Sequence, residues 1–259
     1  MDRERRISRV LLPAAVAALA GILGVSAAWS EGSREFHQSG PVWGRPVQVL
    51  PAARAFELAG FDEIQISSGF DAEIRQDDRF SVLVRIEDGL VPYLRVQKVG
   101  RTLWVGLHPG ARLALAGRRP RVEITLPRLR LLSLSGAARA TLGDFRFDRV
   151  IEVKLSGASD LKGRIQAQEL ELDISGASRL ELSGSAADVQ IEASGASEAD
   201  LEGLAVRSAR VELSGASHAL VKLEGRLDLR ASGASRLLYA GRPQLGRIEL
   251  SGSSSLRAY

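Results

Sequence analysis

The chain has 259 residues, 45% of them hydrophobic and 25% charged, with no cysteine and a formal charge of +4 at pH 7. The absence of cysteine excludes disulfides, thiol catalysis and a lipid anchor attached through a thiol. The first nine residues hold four arginines against Asp2 and Glu4, which accounts for half the net charge; the rest is too dispersed for a phosphate-binding footprint, so nucleic acid is not an expected partner.

Arg3, Arg5, Arg6 and Arg9 precede an apolar run that starts at Val10 and closes on the small residues Ser26-Ala27-Ala28. That layout predicts a secretory signal over residues 1–28, cleaved after Ala28. The alternative is an uncleaved anchor, because the run from Val10 to Trp29 is close to a bilayer-spanning length. Pro13 and the many alanines weaken that span. Either way the arginines stay cytoplasmic and the remainder is exported to the periplasm or cell envelope. Membrane contact is then confined to residues 10–29, and only if the segment is retained, anchoring the chain to the inner membrane. Residues 29–53, with Pro41, Pro46 and Pro51, read as a flexible linker.

From residue 54 onward the chain reads as one domain. Strand-like segments at Glu63–Ser67, Val82–Ile86, Leu103–Leu107 and Val122–Leu126 recur about every 19–20 residues, and predict irregular coils over 54–127. Ser67-Ser68-Gly69 looks like a divergent first corner, and His108–Pro120 like an insertion loop. Regular repeats occupy 128–259, marked by seven tetrapeptides of the type Ser156-Gly157-Ala158-Ser159. Their glycines are Gly136, Gly157, Gly176, Gly195, Gly215, Gly233 and Gly252, an almost even spacing. A fixed period of this length means one small unit stacked upon itself.

Within each unit a second period, of two, appears. Leu132, Val153, Leu172, Ile191, Val211, Leu229 and Ile248 stand four positions before the glycines, and Leu134, Leu155, Ile174, Ala193, Leu213, Ala231 and Leu250 two before. The residues between them are mostly charged, which is the pattern of a half-buried strand. Weaker alternation follows each glycine, and a further glycine such as Gly163 or Gly184 comes soon after. The unit thus reads as strand, Ser-Gly corner, strand, second glycine turn. It is too short to bury its apolar face alone, so equivalent strands must stack in parallel, about 4.8 Å apart, as a β-solenoid. Glycine suits the corner because it accepts left-handed torsions, and on that ground Gly176→Val is expected to cost about 1–3 kcal/mol.

Candidates for chemistry are few. His37, His108 and His218 are isolated and read as surface decoration. No nucleophilic triad, histidine-pair metal motif or phosphate loop emerges, since each glycine opens a strand rather than a helix. The sharpest candidate is a column of carboxylates. Stacked in register, Asp173, Glu192 and Glu212 would lie one above another on an outward face, with Glu171 two positions along from Asp173. Such a column could take a hard cation such as calcium, or act as paired carboxylates in glycoside hydrolysis. Lys154, Arg210 and Arg230 beside it favour a salt-bridged, solvated face instead, with no metal, cofactor or catalytic residue assigned.

The repeated Leu/Ile-Ser-Gly-Ala-Ser corners, the element Ile124-Thr125-Leu126-Pro127-Arg128-Leu129 and the opening Phe61-Asp62-Glu63-Ile64-Gln65-Ile66-Ser67-Ser68-Gly69-Phe70-Asp71-Ala72-Glu73-Ile74 resemble a bacterial family of unknown function, the putative auto-transporter adhesin, head GIN domain family. The resemblance covers about residues 54–259. It implies an all-β, right-handed parallel β-helix related in shape to pectin-lyase-like folds but without their catalytic residues. The coils of that solenoid would each take about 19–20 residues, in keeping with the repeat length. The resemblance supplies no binding residues to carry over. No long β-barrel segment of the kind an autotransporter inserts is read in this chain, so a periplasmic or otherwise exported protein fits better than self-transport. The expected function is a non-enzymatic module for adhesion or interaction with an envelope or surface partner. The alternatives are a self-associating structural scaffold, hence a homo-oligomer, and less favourably a carbohydrate-active enzyme.

Overall fold

The computed structural model describes residues 52–111, 119–147 and 149–259; the expected signal or anchor, the linker up to residue 51 and the centre of the insertion loop lie outside the described residues. Seven strands precede the regular repeats: β1 (Ala52–Phe56), β2 (Glu63–Ile66), β3 (Asp71–Gln76), β4 (Ser81–Ile86), β5 (Leu94–Val99), β6 (Thr102–Leu107) and β7 (Arg121–Leu126). The repeats add β8 (Leu131–Leu134), β9 (Arg139–Arg146), β10 (Val150–Leu155), β11 (Asp160–Ile174), β12 (Arg179–Ala193) and β13 (Glu198–Leu213). They close with β14 (His218–Leu223), β15 (Arg226–Ala231), β16 (Arg236–Ala240), β17 (Gln244–Leu250) and β18 (Ser255–Ala258).

The strands stack as a parallel β-solenoid with two ladders. One runs β6-β2-β8-β10, then through the C-terminal halves of β11, β12 and β13 to β15 and β17. The other runs β7-β3-β9, then through the N-terminal halves of the same long strands to β14, β16 and β18. The alternation read from the sequence sets the faces. On β10, for example, Ile151, Val153 and Leu155 are buried while Lys154 is exposed. The inward residues of all coils form one continuous apolar core.

Three features differ from the sequence reading. First, β6 and β7 lie below β2 and β3, although they follow them in the chain, so spatial and sequence order are inverted at this end. Second, β4 is not a parallel rung: it pairs antiparallel with β7, and β1 pairs antiparallel with β4. Its Val82, Val84 and Ile86 are buried on one face, a pattern that antiparallel and parallel strands share. Third, β11, β12 and β13 run unbroken past their second glycines. There the chain bends while its coil-to-coil pairing continues, as at Ile165 opposite Gly184.

The corners are where the coils are locked. Backbone pairing carries straight through them: the Ala196 N–H donates to the Gly176 carbonyl at 2.8 Å, and the Ala216 N–H to the Gly195 carbonyl at 2.7 Å. Gly195 has φ +76°, and a Cβ built there would lie 2.6 Å from the Gly176 oxygen. Glycine is therefore required twice over, for its torsion and for the close approach of the coil below. In the five corners between the first and the last, the closing serine is buried: Ser159, Ser178, Ser197, Ser217 and Ser235 are at most 2% exposed. Their burial is tolerated because the hydroxyls find carbonyls. Ser217 Oγ donates to Ser214 O at 2.9 Å and Ser235 Oγ to Ser232 O at 2.8 Å.

Candidate functional site

Parallel pairing with side chains alternating in and out turns each outward position into a column running along the solenoid. The carboxylate column is real. Asp173 stands opposite Glu192, and Glu192 opposite Glu212; Lys154 lies below Asp173 and Arg230 above Glu212. All three carboxylates are exposed. Glu171 occupies the neighbouring column, between Glu152 and Gln190, and Arg210 follows Gln190 in that column rather than facing Glu212. A third column sets Glu169 opposite Asp188. Like charges directly opposite one another repel, so this stretch of the face is acidic at some cost in stability.

Counter-charges gather at its borders. Lys154 Nζ sits 2.7 Å from Glu152, which raises the lysine pKa, with Asp173 and Glu171 adding to the effect. Toward β15 and β17 the same face becomes mixed. Arg226 grips Asp228 through two hydrogen bonds of 2.7 and 2.8 Å, and the Arg247 backbone N–H adds a third at 2.7 Å. The Arg226 bonds, then the Arg247 N–H, hold the Asp228 pKa down at about 2. Arg230 bonds Glu249 at 2.9 Å, and with Arg247 lowers the pKa of that carboxyl. The Arg226–Asp228–Arg247 cluster was missed by sequence reasoning, although the period of two in β15 placed Arg226, Asp228 and Arg230 on one face.

The second ladder carries alternating signs instead. Arg139, Asp160, Arg179, Glu198, His218 and Arg236 form one column, in which Arg179 bonds Glu198 at 2.6 Å. His218 is thus an exposed rung of that column, and His108 is exposed, its backbone bonded to Tyr93. His37 lies outside the described residues.

Among the described residues no group of three or more His, Cys, Asp or Glu side chains comes together to hold a metal ion, although the register stacks Asp173, Glu192 and Glu212. No buried side-chain polar atom among them lacks a hydrogen-bond partner, so none is left aimed at a ligand. Among the described residues are shallow gaps between rungs, such as the one lined by Arg210, Glu212, Asp228 and Arg230. Among the described residues no helix is long and apolar enough to cross a membrane.

Comparison with known proteins adds a family and a fold. The family described as putative auto-transporter adhesin, head GIN domain, matches residues 60–243. No curated protein matches the chain. A putative adhesin from Bacteroides fragilis superposes with a TM-score of 0.74 at 16% identity, covering 83% of this chain and 99% of that one. A putative lipid binding protein from Parabacteroides distasonis gives 0.64 at 18% identity, over 81% and 96% of the two chains. A putative adhesin from the same species gives 0.58 at 18% identity, over 80% and 96%. At these identities the likeness is one of fold.

Proposed function

Because this chain belongs to the putative auto-transporter adhesin, head GIN domain family, we propose that it is a non-enzymatic module, exported to the cell envelope, that holds a partner on the outward faces of its solenoid. One observation carries this reading. Corner and interior positions repeat from coil to coil, whereas the outward columns vary in sign and include the in-register carboxylates Asp173, Glu192 and Glu212. A surface that accepts like-charge repulsion has an incentive to meet a partner of complementary charge. The shallow relief of the faces suits a macromolecular surface better than a small substrate, which is normally engulfed. The resemblance of the neighbours to adhesins supports the same reading at the level of fold.

Fractionation of cells carrying a tagged copy tests the assignment. The tagged chain is expected in the envelope or periplasm, and recovery from the cytoplasm would refute export. A screen for polysaccharide hydrolysis or lysis is expected to be blank for the purified protein. Turnover that disappears when Asp173, Glu192 and Glu212 are changed to alanine would overturn the non-enzymatic reading.

A further inference from the structure

The two ends of the solenoid are finished differently. At one end the ladders are covered by antiparallel strands, β5 on β6 and β4 on β7, with β1 on β4. At the other, no strand among the described residues pairs with the outer edge of β17 or β18. The core is open there too. Leu245 and Leu250 are 47% and 46% exposed, whereas Leu227 and Ala231, at the same register one coil below, are 0% and 1% exposed. Free strand edges beside uncovered apolar side chains are a template for further pairing.

We infer that this end docks a second copy of the chain, edge to edge and head to head, closing a two-fold dimer. The charge pattern of β17 points to that partner. A two-fold axis perpendicular to the solenoid turns the strand end for end, so β17 meets its own copy antiparallel. In the register centred on Ile248, Arg247 faces Glu249 of the second copy and Glu249 faces its Arg247. Ile248 then meets Ile248, and Leu250 meets Gly246. Such self-complementarity is the mark of an isologous contact, and opposite charges across a strand pair favour it. The Arg247 and Glu249 side chains are 73% and 37% exposed and pair with each other within the chain, so docking exchanges that local pair for the same pair made across the two-fold.

A two-fold contact uses the open end of both copies and so closes at two. Head-to-tail stacking would bring β17 and β18 against β5 and β1, whose edges carry Arg95, Lys98 and Arg54. All three are cations and neither strand holds an acidic side chain, so that edge lacks the paired opposite charges that make β17 complementary to itself. The end-to-end contact is independent of what the outward faces bind, and it leaves those faces free in the dimer.

Sedimentation velocity of the full chain over a range of concentrations tests it. A monomer–dimer equilibrium with no larger species is expected. Arg247→Glu and Glu249→Arg each place like charges in both symmetry-related contacts and should weaken the dimer about tenfold. The double reversal should restore it, while circular dichroism melts report whether each variant remains folded. A monomer at every concentration, assembly beyond the dimer, or a dimer indifferent to the reversals would each overturn the proposal. Indifference to the reversals would also expose association through residues 10–29 instead.

Discussion

Replacing Gly195 by alanine separates the two demands made on the corner glycine. Gly195 has φ +76°, and an added Cβ would come within 2.6 Å of the Gly176 oxygen and 3.1 Å of the Gly176 nitrogen. Gly69 has nearly the same torsion, φ +72°, but nothing lies within 4 Å of a Cβ built there. For both, alanine in the left-handed region costs about 1–2 kcal/mol. Only at Gly195 must the coil below also yield, and overpacking of that kind adds about 1–3 kcal/mol. Gly195→Ala is therefore expected to lose about 2–5 kcal/mol and Gly69→Ala about 1–2 kcal/mol in urea-unfolding titrations. In a domain of this size each kcal/mol corresponds to roughly 2–4 °C in melting temperature. Gly195→Asn sharpens the test, because asparagine tolerates the torsion but keeps the Cβ. Equal losses at Gly69 and Gly195, or full rescue by asparagine, would refute crowding between coils as the dominant cost.

Other outcomes follow from the same structure. Ser217→Ala removes a buried hydroxyl bonded to Ser214 O at 2.9 Å and should cost about 0.5–1.5 kcal/mol in the same assay; Ala138 already fills the equivalent place in the first regular corner. Carboxyl NMR should show Asp228 titrating at about 2 rather than the ordinary 3.8. Because its folded pKa is depressed, the stability it contributes is present above 3.8 and is lost as pH falls through about 2; Arg226→Ala should move the midpoint back up. Calorimetric titration with calcium should give no saturable heat; uptake that Glu192→Ala abolishes would reinstate the carboxylate column as a cation site.

The regular half of the molecule was legible because two periods coincide in it. The recurrence of the Ser-Gly corner names the coil, and alternation by two names the face, so the stacking of Asp173, Glu192 and Glu212 could be read without coordinates. The same parity also carried a signal that went unread: Ser178 lies two positions before Leu180, hence on the inward side. Other features left no trace in local pattern. The alternation of β4 is the same whether its partner runs parallel or antiparallel, and nothing near β6 records that it pairs beneath a strand earlier in the chain. Torsion at the corner glycines was readable from residue type, but the contact between Gly195 and Gly176 exists only once the coils are stacked. At the second bend, Gly163 lacks the left-handed torsion that Gly184 has at φ +112°, so glycine alone could not tell a turn from a bend within a continuous strand.

The corners hold successive coils in fixed register and so build the outward columns. Since the chain has no cysteine of its own, engineered cysteine pairs read that register directly. Glu192 and Glu212 stand opposite one another on adjacent strands, about 4.8 Å apart, within the span of a disulfide. Arg210 faces Gln190 instead, which puts it about 8 Å from Glu192 and beyond that span. Under mild oxidation the Glu192→Cys/Glu212→Cys protein should form an intramolecular disulfide in high yield, and the Glu192→Cys/Arg210→Cys protein should not. Equal crosslinking of the two pairs, or none in either, would contradict the register from which the outward columns are built.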